Sequence, residues 1–315
     1  LRGALVKPDV LVATPLFDAM RRKLEAAFTC HMLHEAADRN AFLAAVAPRV
    51  RGIATFNSAN TRLIEALPHL EIISNCSVGT DGIDLVAAKR RGIVVTNTPD
   101  VLDDCVAETA IALTLNLLHR YPEAEQWVRS GAWAKRGAFP FAAELHRKTL
   151  GVLGLGRIGE AIVRRALAFG MRIRYHNRNR KDVPYEYDAD PVKLAENSDV
   201  LMVVIPGGNE TTALVDARVL EALGPQGYLV NVARGSVIDE PALITALREK
   251  RIAGAALDVF WNEPNIDPAF LSLDNVVLLP HVGSATVETR TAMGDLTIEN
   301  LRRHFAGEPV LTRVV

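Results

Sequence analysis

Three residues that could act together on an anion and a proton each follow an apolar run: Arg234 after GYLVNVA, Glu263 after ALDVFWN and His281 after VVLLP. Arginine can hold a carboxylate through two parallel N–H bonds, histidine can deliver a proton near neutral pH, and glutamate can keep that imidazole oriented and charged. Taken singly, each has an ordinary reading as a surface charge or a structural histidine. Taken together they make a chemically sensible set, provided that the runs before them are parallel strands whose carboxyl ends converge.

The element that must organise such a sheet runs from Thr149 to Gly170, TLGVLGLGRIGEAIVRRALAFG. Leu150 to Leu155 alternates apolar residues with glycine like a buried strand, and Ile158 to Phe169 repeats apolar residues at helical spacing. Between them Gly154, Gly156 and Gly159 form G-x-G-x-x-G. The first glycine permits the tight turn, the second lets backbone approach a pyrophosphate, and the third lets helix pack on strand. Glycines alone also serve flavins, methyl donors or plain turns; the strand before and the helix after point to a dinucleotide.

The next strand ends Tyr175-His176-Asn177-Arg178-Asn179-Arg180-Lys181, with no acid until Asp182. An NAD site wants an Asp or Glu here for the ribose 2′-hydroxyl, whereas arginine accommodates the 2′-phosphate of NADP. Asn177 removes the repulsive carboxylate, and Arg178 and Arg180 supply planar donors suited to phosphate. NADP(H) is therefore expected in preference to NAD(H), against the alternative of a solvated basic loop.

Strand patterns recur along the chain. In the first part they are Val10 to Ala13, Cys30 to His34, Gly52 to Phe56, Glu71 to Asn75 and Ile93 to Thr96, separated by helical stretches at Asp18 to Ala27, Thr61 to Leu67 and Leu85 to Arg91. Two of these strand ends, Phe56-Asn57-Ser58 and Asn75-Cys76-Ser77-Val78-Gly79-Thr80, stand where ligands gather, and the second offers backbone N–H groups for an anion. A plain turn is the competing reading. After the turn at Thr98-Pro99-Asp100 an apolar helix is expected over Val106 to His119, and Tyr121 to Arg147 reads as an excursion without clean periodicity, either a surface loop or an arm against a partner subunit. The later strands are Arg172 to His176, Val200 to Ile205, Gly227 to Val232, Ala253 to Leu257 and Val276 to Leu279, with helices at Pro241 to Arg251 and Val287 to Phe305. Strand and helix alternate throughout, so the expected fold is α/β with two doubly wound parallel sheets.

Length and charge narrow the partners. At 315 residues the chain exceeds the size at which one core keeps growing, and 49% hydrophobic content can fill two. A net charge of −1 with both signs interspersed leaves no footprint for nucleic acid and no basic face for a membrane. No apolar run approaches the ~20 residues of a membrane span, and the N-terminus lacks the order of a signal peptide. Three cysteines, Cys30, Cys76 and Cys105, show no metal-ligand spacing and suit a reducing cytoplasm, so no metal is expected. The chain starts without methionine, and Leu1 to Leu5 are expected to include a residue foreign to the natural protein.

The motifs SVGTDGID, LGVLGLGRIG, NVARGSVID, ALDVFWNEP and LLPHVGSAT together resemble, in order, those of the D-isomer-specific 2-hydroxyacid dehydrogenase family, over nearly the whole chain. Within it the chain looks like the glyoxylate and hydroxypyruvate reductases that use NADPH. The resemblance implies a Rossmann cofactor domain, residues 101–285, inserted in a flavodoxin-like substrate domain, residues 1–100 and 286–315, closing on each other to exclude water, and a homodimer paired through cofactor domains. It makes Arg234 the clamp on substrate carboxylate and carbonyl, His281 the proton donor and Glu263 its partner. Val78 and Gly79 would bind the substrate carboxylate through backbone N–H groups, with Asn57 beside them. Asp258 matches a residue near the nicotinamide carboxamide and Thr109 one facing the nicotinamide side. The expected cofactor envelope also takes in Arg157, Ile158, Ile205, Pro206, Val232, Ala233 and Gly283. Asn177, where NAD-using members carry Asp, is the departure from the majority. Phosphoglycerate dehydrogenases share every motif, though many carry a C-terminal regulatory extension and this chain stops just after its last helix. Formate dehydrogenases usually place Gln at the position of Glu263. The nucleotide-sensing transcriptional corepressors keep the same motifs as non-catalytic scaffolds, and completeness of the catalytic set favours an enzyme. The 2-oxo acid itself stays open between small acids and aryl pyruvates.

Overall fold

The computed structural model describes residues 7–315, so the expectation about Leu1 to Leu5 lies outside the described residues. The chain divides into two compact units, Leu1–Leu102 with Thr286–Val315, and Asp103–Ala285.

The first unit begins β1 (Asp9–Val12), α1 (Asp18–Ala27), β2 (Thr29–Met32), α2 (Arg39–Val46), β3 (Val50–Thr55), α3 (Thr61–Glu65), β4 (Ile72–Asn75), α4 (Leu85–Arg90) and β5 (Val94–Thr96). All five strands are parallel, in the order β2-β1-β3-β4-β5, which is the flavodoxin-like order. Parallel strands covered on both faces read as continuous apolar runs. Val10, Leu11 and Val12 of β1 and every residue of β4 are accordingly buried. Helix starts follow side-chain caps: Asp38 accepts from the Asn40 and Ala41 amides, Asn60 from Leu63, and Asp84 from Ala87. The strand expected over Cys30 to His34 stops at Met32, because Leu33–Glu35 winds into a 3₁₀ turn leading to the Asp38 cap.

The second unit holds α5 (Asp103–His119), α6 (Tyr121–Arg129), α7 (Ala132–Arg136), β6 (Thr149–Leu153), α8 (Arg157–Ala168), β7 (Arg172–His176), β8 (Glu186–Tyr187), α9 (Pro191–Glu196), β9 (Val200–Val203), α10 (Ala217–Leu223), β10 (Tyr228–Asn231), α11 (Glu240–Arg248), β11 (Gly254–Leu257) and β12 (Val276–Leu278). Its seven parallel strands lie in the order β12-β11-β10-β9-β6-β7-β8. The order reverses between β6 and β9, the switch point at which dinucleotides bind in doubly wound sheets. α5 packs on α8.

Two expectations needed correction here. Residues 121–147 are not irregular throughout, since they contain the short helices α6 and α7, and α6 buries none of its side chains fully. The helix expected over Pro241 to Arg251 ends at Arg248. Lys250 takes φ +54° and the Arg251 amide donates to Ala246 O at 2.8 Å, a left-handed helix stop that the later Gly254 does not mark.

The chain then returns to the first unit as α12 (Val287–Phe305), capped by Thr286 and packed on α1 and β4. Ser74 of β4 donates to Thr297 O at 2.9 Å. Among the described residues no helix is long and apolar enough to cross a membrane.

Candidate active site

The glycine turn shows a separate physical need at each position. Gly154 has φ +108°, and a Cβ there would stand 2.6 Å from Ile205 Cγ2. A Cβ at Gly159 would stand 2.4 Å from Gly154 O, whereas one at Gly156 would meet nothing within 4 Å. The turn is thus closed by its first and third glycines and open at its second. Gly156 is also the residue before α8 and offers no side-chain cap, so the N-terminus of that 12-residue helix turns toward the glycine turn without a capping side chain. The residues present therefore fit a dinucleotide pyrophosphate.

At the end of β7 the Asn177 carboxamide turns toward the glycine turn: the Leu155 amide donates to Asn177 Oδ1 at 2.7 Å, and Asn177 Nδ2 donates to Leu155 O at 3.4 Å. Arg178 is exposed and paired with Glu210, Nη1 to Oε2 at 3.0 Å. Arg180 lies with its guanidinium carbon 6.0 Å from the Tyr187 ring centroid. Glu210 belongs to the loop after β9, which Thr211 closes by donating to Pro206 O at 2.8 Å. Ile205 is half-buried against Gly154 and Pro206 is exposed.

The ends of β10, β11 and β12 carry the proposed acid set. His281 Nδ1 lies 2.6 Å from Glu263 Oε2, and the Phe260 amide donates to Glu263 Oε1 at 2.9 Å. Burial pushes the Glu263 carboxyl up, but the His281 and Phe260 hydrogen bonds and the charges of His281 and Arg234 outweigh it and hold it below the usual carboxylate range. His281 has φ +54°, a left-handed conformation rare outside glycine. The turn is over-determined from below: the Val282 and Gly283 amides donate to the two Asp258 oxygens at 2.7 and 2.8 Å, and the His281 amide donates to Asp258 O at 2.9 Å. Burial pushes the Asp258 carboxyl up despite those two bonds. Arg234 is half-buried after the buried pair Val232 and Ala233, and its Nη1 donates to Ala233 O at 2.7 Å. Thr109 of α5 donates to Cys105 O at 3.2 Å and to Gly283 O at 3.5 Å, which puts it beside the His281 turn.

In the first unit, two loops after β3 and β4 form one hydrogen-bonded structure. The Asn57 amide donates to Asn75 Oδ1 at 2.7 Å, and the Gly82 amide to Asn57 Oδ1 at 2.9 Å. The carbonyls of Ser77 and Gly79 accept from Asn75 Nδ2 at 3.2 and 2.8 Å, and that of Val78 from Asn97 Nδ2 at 3.0 Å. The amides of Val78 and Gly79 meet no acceptor among the described residues.

Residues 111–283 match the family model described as D-isomer specific 2-hydroxyacid dehydrogenase, NAD binding domain. Hydroxyphenylpyruvate reductase of Plectranthus scutellarioides is 45% identical over 309 residues, 97% of this chain and 98% of that one. A glyoxylate/hydroxypyruvate reductase A of Arabidopsis thaliana is 46% identical over the same shares. The crystal structure of NADPH-dependent glyoxylate/hydroxypyruvate reductase from Sinorhizobium meliloti in complex with NADP and malonate superposes with a TM-score of 0.92 at 46% identity, covering 98% of this chain and 97% of that one. The chain belongs to the D-isomer-specific 2-hydroxyacid dehydrogenase family.

Several residues that shape the site of this dehydrogenase escaped the sequence reading. Asn231, fully buried at the end of β10, accepts the Ala233 amide at 3.0 Å and donates to Arg234 O at 3.0 Å. Glu240, 6% exposed, accepts the Trp261 amide at 2.6 Å and so holds the turn that carries Glu263; burial pushes its carboxyl up. A Cβ at Gly235 would stand 2.0 Å from the Phe260 carbonyl carbon, so the Arg234 and Glu263 turns are in direct backbone contact. The one signal available was the NxxR spacing from Asn231 to Arg234, a polar residue closing an apolar strand. A cavity of about 340 Å³ lined by Asn116, Tyr228, Lys250 and Asn275 opens at the amino ends of β10 to β12, the opposite edge from His281. Ligands of open α/β sheets gather at the carboxyl ends of strands, the edge that carries His281.

Proposed function

We propose that the protein reduces small 2-oxo acids of the glyoxylate and hydroxypyruvate type to D-2-hydroxy acids and prefers NADPH to NADH. The observation that carries the reading is the 2.6 Å His281–Glu263 pair beside Arg234 on the sheet that bears the glycine turn. When bound, the reduced nicotinamide supplies a hydride to the carbonyl carbon. His281 donates the accompanying proton from Nε2, because Nδ1 is engaged by Glu263. Glu263, held ionised, keeps the ring oriented, and Arg234 stabilises the charge that grows on the carbonyl oxygen. The Val78 and Gly79 amides take the substrate carboxylate, with Asn57 alongside.

Cofactor binding divides by position. The α8 N-terminus and Gly154, Gly156 and Gly159 would take the pyrophosphate, Thr109 and Asp258 would border the nicotinamide side, and Ile205, Pro206, Val232, Ala233 and Gly283 would complete the cofactor envelope. Preference for NADPH rests on Arg178 and Arg180 and on the missing acid at Asn177, whose carboxamide is committed to Leu155. The similar Sinorhizobium enzyme, described as NADPH-dependent and solved with NADP, supports the same reading. A homodimer is supported by the exposed apolar side chains of Tyr121, Val128, Trp133 and Phe141, which crowd into residues 121–141. The three free thiols accord with a cytoplasmic protein.

The test is a panel of glyoxylate, hydroxypyruvate and an aryl pyruvate assayed with NADPH and with NADH. Turnover of the small acids with a lower KM for NADPH is expected. No turnover with any 2-oxo acid would overturn the reading in favour of a scaffold, and a wild type preferring NADH would remove the cofactor preference.

A further inference from the structure

The loop Cys76 to Gly82 carries no charged side chain that could hold an anion except Asp81, which has the wrong sign. Whatever it offers a carboxylate must come from main-chain N–H groups, and those are useful only if something holds their direction. The hydrogen bonds of the loop show what does. A trans peptide points its C=O and its N–H in opposite directions, so an anchored carbonyl aims the next residue's amide the other way. The Ser77 carbonyl accepts from Asn75 Nδ2 at 3.2 Å and from the Thr98 amide at 3.1 Å, which aims the Val78 N–H. The Val78 carbonyl accepts from Asn97 Nδ2 at 3.0 Å, which aims the Gly79 N–H. The Gly79 carbonyl accepts from Asn75 Nδ2 at 2.8 Å, which aims the Thr80 N–H. Three successive carbonyls are drawn inward, so three successive amides are turned outward together, as in the anion-binding concavities that backbone amides form.

Asn75 is the centre of this arrangement. It is fully buried, and a carboxamide has two N–H donors and one acceptor oxygen. Both donors are spent on the loop, and Oδ1 accepts the Asn57 amide at 2.7 Å. One side chain therefore ties the loop after β3 to the loop after β4 and sets the direction of the amides between them. We propose that Asn75, assisted by Asn97, is the positioning residue that makes this loop a carboxylate cradle, touching no substrate itself. The inference rests on the proposed reading that the Val78 and Gly79 amides bind the 2-oxo acid carboxylate.

The variants are Asn75→Asp, which keeps the acceptor for Asn57 and loses both donors, and Asn97→Asp, which loses only the bond to Val78. Both are measured as the full chain with glyoxylate as substrate, malonate as competing dicarboxylate, NADPH Kd by fluorescence, and Tm. For Asn75→Asp we expect the glyoxylate KM and the malonate inhibition constant to rise together by about ten- to a hundredfold, the span expected when hydrogen bonds to a charged group are lost, with kcat and NADPH Kd within about threefold of wild type. Asn97→Asp should show the same split with a smaller KM rise. That split separates positioning from general damage, which would lower kcat, NADPH affinity and Tm along with it. If Asn75→Asp does not fold, Asn97→Asp decides: a raised KM at unchanged NADPH Kd supports the proposal, and an unchanged KM overturns it. Wild-type KM in both variants, while Arg234→Lys raises it, overturns the positioning role and leaves the functional reading standing. No effect in any of the three, including Arg234→Lys, overturns the functional reading and the positioning role with it.

Discussion

Asn75 and Asn231 are the same residue in the same kind of place, each fully buried at the last position of a central parallel strand, yet they do different work. Asn231 reaches no further than Ala233 and Arg234 and closes a single turn. Its effect is to set the backbone from which one charged side chain departs. Asn75 reaches residues 57, 77 and 79 and ties two loops together. Its effect is to aim amides, and no charged side chain depends on it. The second unit thus presents side-chain chemistry on locally closed turns, whereas the first presents main-chain donors held by contacts across about twenty residues of sequence. The first kind of site is therefore expected to be sensitive to residue type and the second to geometry.

The largest test of this contrast is His281→Ala. It removes the proton donor and should lower kcat by about two to four orders of magnitude with NADPH Kd unchanged, since the Asp258 bonds to Val282 and Gly283 remain. A robustly active variant, measured by steady-state reduction of glyoxylate, would remove His281 from the mechanism. Asn231→Ala comes next. Leaving the Ala233 amide unpaired should cost about 1 to 3 kcal/mol of stability and, by loosening the departure point of Arg234, lower kcat as well as raise KM. A pure KM effect like that expected of Asn75→Asp would erase the distinction drawn between the two asparagines.

Glu263→Gln is expected to act mainly through pH. The Glu263 carboxyl is held below its usual range, so its contribution to the acid pair is complete at neutral pH and is lost only as pH falls through that lowered value. An amide at this position can orient the His281 ring but carries no charge to lose. The acid limb of reductive kcat/KM that follows this carboxyl should therefore disappear in Glu263→Gln. Superimposable profiles for wild type and variant would show that Glu263 does not tune the donor. The smallest effect is expected at Glu210, whose ion pair with Arg178 is 81–88% exposed and so weak by itself. Glu210→Gln should free Arg178 and remove a like charge near the 2′-phosphate, tightening NADPH severalfold with NADH unchanged. Arg178→Ala should do the opposite, and equal changes for both cofactors in either variant would detach this loop from cofactor choice.

Much of the candidate site was legible before the fold was known, for local reasons. Arg234, Glu263 and His281 could be singled out because each ends an apolar run, and parallel topology then brings strand ends together whatever their distance along the chain. The G-x-G-x-x-G stretch was legible from its spacing, and Gly159 answers a demand made by Gly154 five residues earlier, although Gly154 itself is crowded by Ile205 just past the end of β9. α1 and α12 were readable to the residue from their apolar periodicity. α6 was not, although its sequence is amphipathic, because it is a nine-residue helix between the left-handed Arg120 and the turn at Ser130–Gly131.

What only the tertiary structure decided is how polar groups are shared between segments. Asn177 was read by what it lacks, a carboxylate; its carboxamide turns out to be spent on Leu155, 22 residues earlier in the chain. Arg178 looked like a phosphate donor and is also the partner of Glu210, 32 residues on. Asn75 stands in the sequence as the first residue of a loop, and nothing in its neighbours shows that it holds Asn57. Apolar burial is non-directional and follows from composition and period, so a sequence states it openly. A hydrogen bond needs a donor and an acceptor about 3 Å apart and well aligned, and that alignment exists only once the strands have been laid side by side.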